Sequence, residues 1–127
     1  MDKDQLIHEI GKTIIQDIGG HNPNWTHLVM VGTIEDGSSK MSGFVYLKDG
    51  KYEPVSPSGF ATAELLEELR TEMAKDDQKA PWRTALIQID RNTGEIKFDF
   101  EYDRADRWAI NLRNSSARAA ELKPSET

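Results

Sequence analysis

Residues 80–108, APWRTALIQIDRNTGEIKFDFEYDRADRW, carry the strongest constraint on how this chain folds. From Glu95 to Asp103 the residue types alternate: Ile96, Phe98, Phe100 and Tyr102 fall on one face, while Glu95, Lys97, Asp99, Glu101 and Asp103 fall on the other. Strand side chains alternate with period two, so this run predicts a strand with two distinct faces. The preceding run begins at Pro81-Trp82 and ends in the turn Asn92-Thr93-Gly94, which makes the pair a β-hairpin. Its apolar face requires a core to cover it. Its other face is a row of mostly carboxylates, a surface suited to a basic partner.

The rest of the chain supplies the cover. Leu6, Ile7, Ile10, Ile14, Ile15 and Ile18 recur at three- and four-residue spacing, which predicts an amphipathic helix stopped by a left-handed cap at Gly19-Gly20. Trp25 to Ile34 is aromatic and β-branched and predicts the first strand, followed by a turn over residues 35–39. Lys40 to Leu47 predicts a second strand. Asp49-Gly50 marks a tight hairpin, and Lys51 to Val55 a short third strand that, by Pro54, lies at a sheet edge or ends there. After Ser56-Pro57-Ser58-Gly59 comes a second helix, with Phe60, Leu65, Leu66, Leu69 and Met73 toward the core. Glu64, Glu67, Glu68 and Glu72 form its solvated face. Ala117 to Leu122 predicts a terminal helical turn before a loose tail from about residue 123.

The expected architecture is therefore α+β, one domain over residues 1–127. A five-stranded antiparallel sheet in the order α-β-β-β-α-β-β-(short α) carries its helices on one face. The other face stays partly open to solvent and displays the carboxylates of Glu95 to Asp103. At 127 residues the chain is long enough to bury roughly two-thirds of its unfolded surface.

Composition narrows the function classes. Twenty-two acidic residues against 16 basic ones give a formal charge of −6. With no run of Lys and Arg to neutralise phosphates, nucleic acid is not expected as a direct ligand. The absence of cysteine excludes disulfides, thiol catalysis and thiolate metal sites. The first residues, MDKDQLIHEI, lack an apolar signal segment and no window reaches membrane-spanning length, so a cytoplasmic location is expected. On that ground the glycosylation patterns at Asn24-Trp25-Thr26 and Asn114-Ser115-Ser116 are taken as chance.

No motif for chemistry competes with the acidic row. His8, His21 and His27 do not form a pair at zinc-binding spacing and read as surface or satisfied histidines, so neither a metal nor a cofactor is expected. No nucleophile elbow or phosphate loop is present. Successive carboxylates of Asp99, Glu101 and Asp103 would lie about 7 Å apart on one face, a spacing that could hold a water as in inverting glycosidases. A domain this small leaves little room for the sugar cleft such an enzyme needs. Trp25 and Trp82 read as core residues, Trp82 capping the core beneath the second helix. Trp108, set among Arg104, Asp106 and Arg107, reads equally as core or as interface anchor.

At this hairpin the chain resembles the YezG-like immunity proteins, small antitoxins that neutralise secreted or contact-delivered nuclease toxins of bacteria. The resemblance rests on Pro81-Trp82, the alternating strand Thr84 to Ile89, the turn at Gly94 and the strand Phe98-Asp99-Phe100-Glu101-Tyr102. The leading helix, Trp25 and Gly43-Phe44-Val45-Tyr46 match more loosely. The resemblance implies a protein without enzymatic activity, whose partner is a cognate toxin domain. The physical reading agrees, because a nuclease surrounds its active site with basic side chains to attract nucleic acid. Asp99, Glu101, Asp103, Asp106 and Trp108 are then the partner-binding residues. A small hydrolase using a carboxylate pair is one alternative, and an adaptor that adds a strand at the edge near Lys51 to Val55 is another.

Overall fold

The computed structural model describes residues 1–35, 38–77 and 81–123. Helix α1 (Lys3–Asp17) leads through a 3-10 turn (Gly19–His21) into strands β1 (Trp25–Glu35), β2 (Ser38–Leu47) and β3 (Tyr52–Val55). Helix α2 (Ala61–Asp77), strands β4 (Thr84–Asp90) and β5 (Ile96–Glu101), and helix α3 (Ser115–Leu122) complete the chain. The strands form one antiparallel sheet in the order β3-β2-β1-β4-β5. Fold class and element order are those expected. Among the described residues, no helix is long and apolar enough to cross a membrane. Residues 36–37 of the expected turn and residues 124–127 of the expected tail lie outside the described residues, while Ser38 and Ser39 belong to β2.

Strand β1 is central because it is apolar on both faces. Leu28, Met30 and Ile34 point to one side and Val29 and Val31 to the other, and all five are buried. On the first side Leu6, Ile10 and Ile14 of α1 and Leu66, Leu69 and Met73 of α2 pack over Leu28, Met30, Val45, Ala85, Ile87 and Ile89. Helix α1 begins with a capping box: the Asp2 carboxylate accepts the Gln5 amide at 2.8 Å, and the Asp2 amide donates to the Gln5 side chain at 2.9 Å. These bonds satisfy two amides that a helix start leaves orphaned. Trp82 is buried in this core, as expected, and Arg70 of α2 fastens it by donating to its carbonyl at 2.6 Å. Phe60 departs from expectation. It precedes the first turn of α2 and is 81% exposed.

The end of α1 is a second correction. Ile18 caps the helix in right-handed conformation, and Gly19 does not adopt positive φ. What Gly19 provides is space: a Cβ there would come within 2.8 Å of the Trp25 indole nitrogen. The Asp49-Gly50 hairpin forms as expected, with Gly50 at φ +85° and the Leu47 amide donating to the Lys51 carbonyl at 2.9 Å.

The largest correction concerns the second face of the sheet. Helices do not share one side. Helix α3 and the segment before it cover Val29, Val31, Phe44, Tyr46 and Leu86 with Trp108, Ala119 and Leu122, so the centre of this face is closed to solvent. The Tyr46 hydroxyl donates to the Ala119 carbonyl at 2.5 Å and the Gln88 amide to the Leu122 carbonyl at 2.9 Å, fastening α3 to β2 and β4. Burial, with Tyr52 nearby, raises the Tyr46 pKa, which keeps its hydroxyl protonated as that donor. Only the margins of this face remain open. One margin is β3, blunted as an edge by its four-residue length and by Pro54. The other is β5.

Packing between β1 and β2 is tight at Gly43, where a Cβ would fall 1.8 Å from the Val29 carbonyl oxygen. Backbone cannot give way as a side chain can. Gly43→Ala should lower stability by roughly 1–3 kcal/mol or more. Gly20→Ala, which meets nothing within 4 Å, should stay within about 0.5 kcal/mol of the parent. Urea titration of the two variants measures the difference.

Candidate functional site

The alternation of β5 holds in three dimensions. Ile96, Phe98 and Phe100 pack against the core beneath α1 and α2, opposite Ile89, Ile87 and Ala85 of β4. Lys97, Asp99 and Glu101 lie on the second face, in register with Gln88, Leu86 and Thr84. The carboxylate row therefore exists, beside the patch that α3 covers. Its members have different fates.

Asp99 is 45% exposed and lies 3.8 Å from the Lys97 ammonium. Asp103 and Asp106 are exposed, and Asp106 lies 3.5 Å from the Arg104 guanidinium. Exposed pairs at such distances contribute at most about 1 kcal/mol, so a competing cation can displace them. Asp103 has no ion pair among the described residues.

Glu101 behaves otherwise. Its side chain is only 15% exposed. One carboxylate oxygen accepts the amides of Asp103 at 2.9 Å and Arg104 at 3.3 Å, and the other accepts the Arg107 guanidinium at 2.9 Å. These backbone amides, followed by Arg107, hold its carboxyl below the usual carboxylate range. Glu101 thus organises the turn that carries the chain out of β5 toward the second face. A carboxylate stabilised in its ionised form suits that task and is displaced from what a general acid needs. The expectation that Glu101 offers a free docking carboxylate is corrected: both of its oxygens are already engaged within the molecule, by the Asp103 and Arg104 amides and by Arg107.

Trp108 is corrected as well. It is 6% exposed and lies in the second core with Val31, Phe44, Tyr46 and Leu86. The Arg107 guanidinium sits 4.9 Å from its ring centroid, a cation–π contact that joins this core to the Glu101 turn. Trp108 anchors the fold and offers no surface to a partner.

Asp103 and Asp106 line an open cleft of about 500 Å³ at one end of the sheet. The cleft also gathers Glu35 from the end of β1, Lys40 from β2, and Arg83, which precedes β4. These three were not legible as site residues, because they come from separate strand ends that only the sheet register brings together. Arg83 and Glu35 are 3.9 Å apart. With Arg104 included, the cleft carries three carboxylates and three cations. It is a mixed-charge surface and not a purely acidic one.

Chemistry-bearing groups elsewhere are dispersed. No cluster of three or more His, Asp or Glu among the described residues is arranged to hold a metal ion. His8 and His21 are exposed. His27 is buried between β2 and β4, with Nδ1 at 2.9 Å from the Thr26 hydroxyl. Its Nε2 lies 3.6 Å from Asp90 without a hydrogen bond, so this histidine is satisfied at one ring nitrogen only. Compared with known families and with curated protein sequences, the chain matches no family model and no curated relative.

Two outcomes follow from the corrected roles. Trp108→Ala should cost about 3–5 kcal/mol of stability in urea unfolding, as removal of a buried aromatic side chain does; a change confined to the surface would leave the midpoint in place. Glu101 has a folded-state pKa lowered from 4.5, so its contribution to stability is present above that value and is lost as pH falls through the folded pKa. Glu101→Gln should therefore flatten the acid limb of a plot of urea midpoint against pH, while leaving its neutral-to-alkaline slope unchanged.

Proposed function

We propose that this protein is a binding domain that performs no chemistry at its charged surface and docks there against a basic protein. More specifically, we read it as an immunity protein: a cytoplasmic antitoxin that occupies the cationic surface of a cognate bacterial toxin domain, a nuclease. The observation that carries this reading is the half-exposure of Asp99 on β5 and the exposure of Asp103 and Asp106 on the turn beyond it, where among the described residues nothing stronger than a solvent-screened ion pair holds them. The net charge of −6 supports it, since an acidic protein is steered toward a basic one and arrives faster than neutral diffusion allows.

Docking of this kind exchanges partners. Lys97 and Arg104 screen their carboxylates in the free protein, and a toxin's Lys or Arg takes their place in a complex from which water is excluded. Charge-assisted hydrogen bonds gain strength as the surrounding dielectric falls, which favours the exchange. A nuclease covered in this way cannot admit nucleic acid to the same basic surface. Glu101 and Trp108 serve from behind, by fixing the turn that displays Asp103 and Asp106.

The test uses basic nuclease domains of bacterial toxins, screened as a panel for one that binds. Mixed with the intact chain, that domain should form a complex whose association rate falls as salt rises. Asp103→Lys combined with Asp106→Lys should slow association about tenfold or more, with thermal unfolding unchanged. A wild-type chain that binds no member of the panel would sink the reading, as would binding indifferent to both salt and charge reversal.

A further inference from the structure

An open sheet ends in two strands with an unpaired side, and a protein must either blunt such an edge or use it. Strand β3 is blunted by its length and by Pro54. Strand β5 is not. It runs for six residues, Ile96–Glu101, and contains neither proline nor glycine. Its register with β4 is unbroken from Ile89↔Ile96 to Thr84↔Glu101. Among the described residues no strand lies beyond it, and Ile96, Phe98 and Phe100 are only partly buried.

The ladder fixes which backbone groups face outward. The Asp90 amide donates to the Glu95 carbonyl at 3.0 Å, and bonded pairs alternate along an antiparallel ladder. Lys97 and Asp99 therefore bond to Gln88 and Leu86 of β4, their register partners. Ile96, Phe98 and Phe100 turn their N–H and C=O groups away from β4, and these groups have no other hydrogen bond among the described residues. An edge of this kind can take another strand.

Side chains decide which strand it takes. Residues directly opposite each other in an antiparallel pair share a face, and like charges placed opposite each other destabilise it. An added strand must therefore set apolar side chains against Ile96, Phe98 and Phe100, an acid against Lys97 and a base against Asp99. The β5 strand of a second copy meets every one of these demands. Laid antiparallel with Phe98 opposite Phe98, it sets Ile96 against Phe100 on one face and Lys97 against Asp99 on the other, on both sides of the twofold axis. The charges fall at the non-hydrogen-bonded positions, where opposed side chains come closest. A slip of two residues would oppose Asp99 to Asp99 or Lys97 to Lys97, and a slip of one would oppose the wrong faces. A single register is self-complementary.

We propose that this chain forms a twofold dimer through β5, joining two five-stranded sheets into one continuous sheet. Within one copy Lys97 and Asp99 lie 3.8 Å apart and partly exposed, a weak pair that each can leave for its counterpart across the axis. Lysine on an edge ordinarily wards off intruding strands; here it admits the one strand that opposes it with Asp99. The dimer requires no basic protein and stands apart from the docking reading. It commits Asp99 to the second copy, and the acids left to a basic partner are Asp103 and Asp106.

Sedimentation and light scattering on the intact chain should give twice the 14.4 kDa mass of one copy. Asp99→Lys and Lys97→Asp each bring like charges together on both sides of the axis. Each alone should raise the dimer dissociation constant about tenfold or more, with unchanged circular dichroism. Mixed in equal amounts, the two variants should pair with each other at the parent's affinity, because every base then meets an acid. A role of these side chains within one copy predicts no such rescue. A parent chain that stays monomeric overturns the proposal, as does a dimer that neither variant weakens or a mixture that fails to recover.

Discussion

A central strand that is apolar on both sides must be covered twice, and most of this structure answers that requirement. Strand β1 has eight of its eleven residues buried, and each face demands its own layer, as strands in the middle of a doubly covered sheet do. Helices α1 and α2 cover one face with long aliphatic side chains. The other is left to the last third of the chain, which must leave the edge strand β5, reverse direction and come back across the sheet. That return brings Trp108, Ala119 and Leu122 over Val29, Val31, Phe44, Tyr46 and Leu86. The turn at Glu101 is where the reversal is arranged, and the exposed acids lie on it because the chain is bending there.

This arrangement joins the charged turn to the stability of the fold. The Glu101 carboxylate binds two backbone amides and Arg107, and Arg107 in turn lies over Trp108. The charged turn is therefore rooted in the second core. Its outward carboxylates are rigidly based yet lightly paired, a combination suited to association: the backbone needs no ordering, and the exposed ion pairs are weak enough to be replaced. Basic residues within the acidic row do not cancel its use. On the proposed reading, they screen the free protein and are exchanged for the cations of a basic partner.

Element order and the core beneath α1 and α2 could be read from periodicity, because Leu6, Ile10 and Ile14 and the Phe98–Phe100 pair repeat at the spacing their elements impose. The alternation on β5 was legible for the same reason. The covering of the second face was not, since Trp108, Ile110, Ala119 and Leu122 are too sparse to show a period. A signal for it did exist in β1, where Leu28, Val29, Met30 and Val31 run consecutively, a pattern that fits burial on both sides better than on one. Glu101 and Asp103 look alike in a linear reading, and only the path of the turn separates an internally bonded carboxylate from a free one. Glu35, Lys40 and Arg83 were illegible as neighbours, because their proximity is a property of register.

The Tyr52 hydroxyl donates to the Ser116 side chain at 3.3 Å, but the two shorter hydrogen bonds that fasten α3 to the sheet end on main-chain oxygens, those of Ala119 and Leu122. Every amino acid supplies such an oxygen. The attachment therefore asks for a phenol at Tyr46 and an amide at Gln88, but it asks little of the helix beyond two small or aliphatic contacts. Outward positions of α3 other than Ser116 and Arg118, which bond to Tyr52 and to the Ala109 carbonyl, can be rewritten with little effect on its hold, so this side of the molecule can acquire new surface chemistry while its scaffold stays the same.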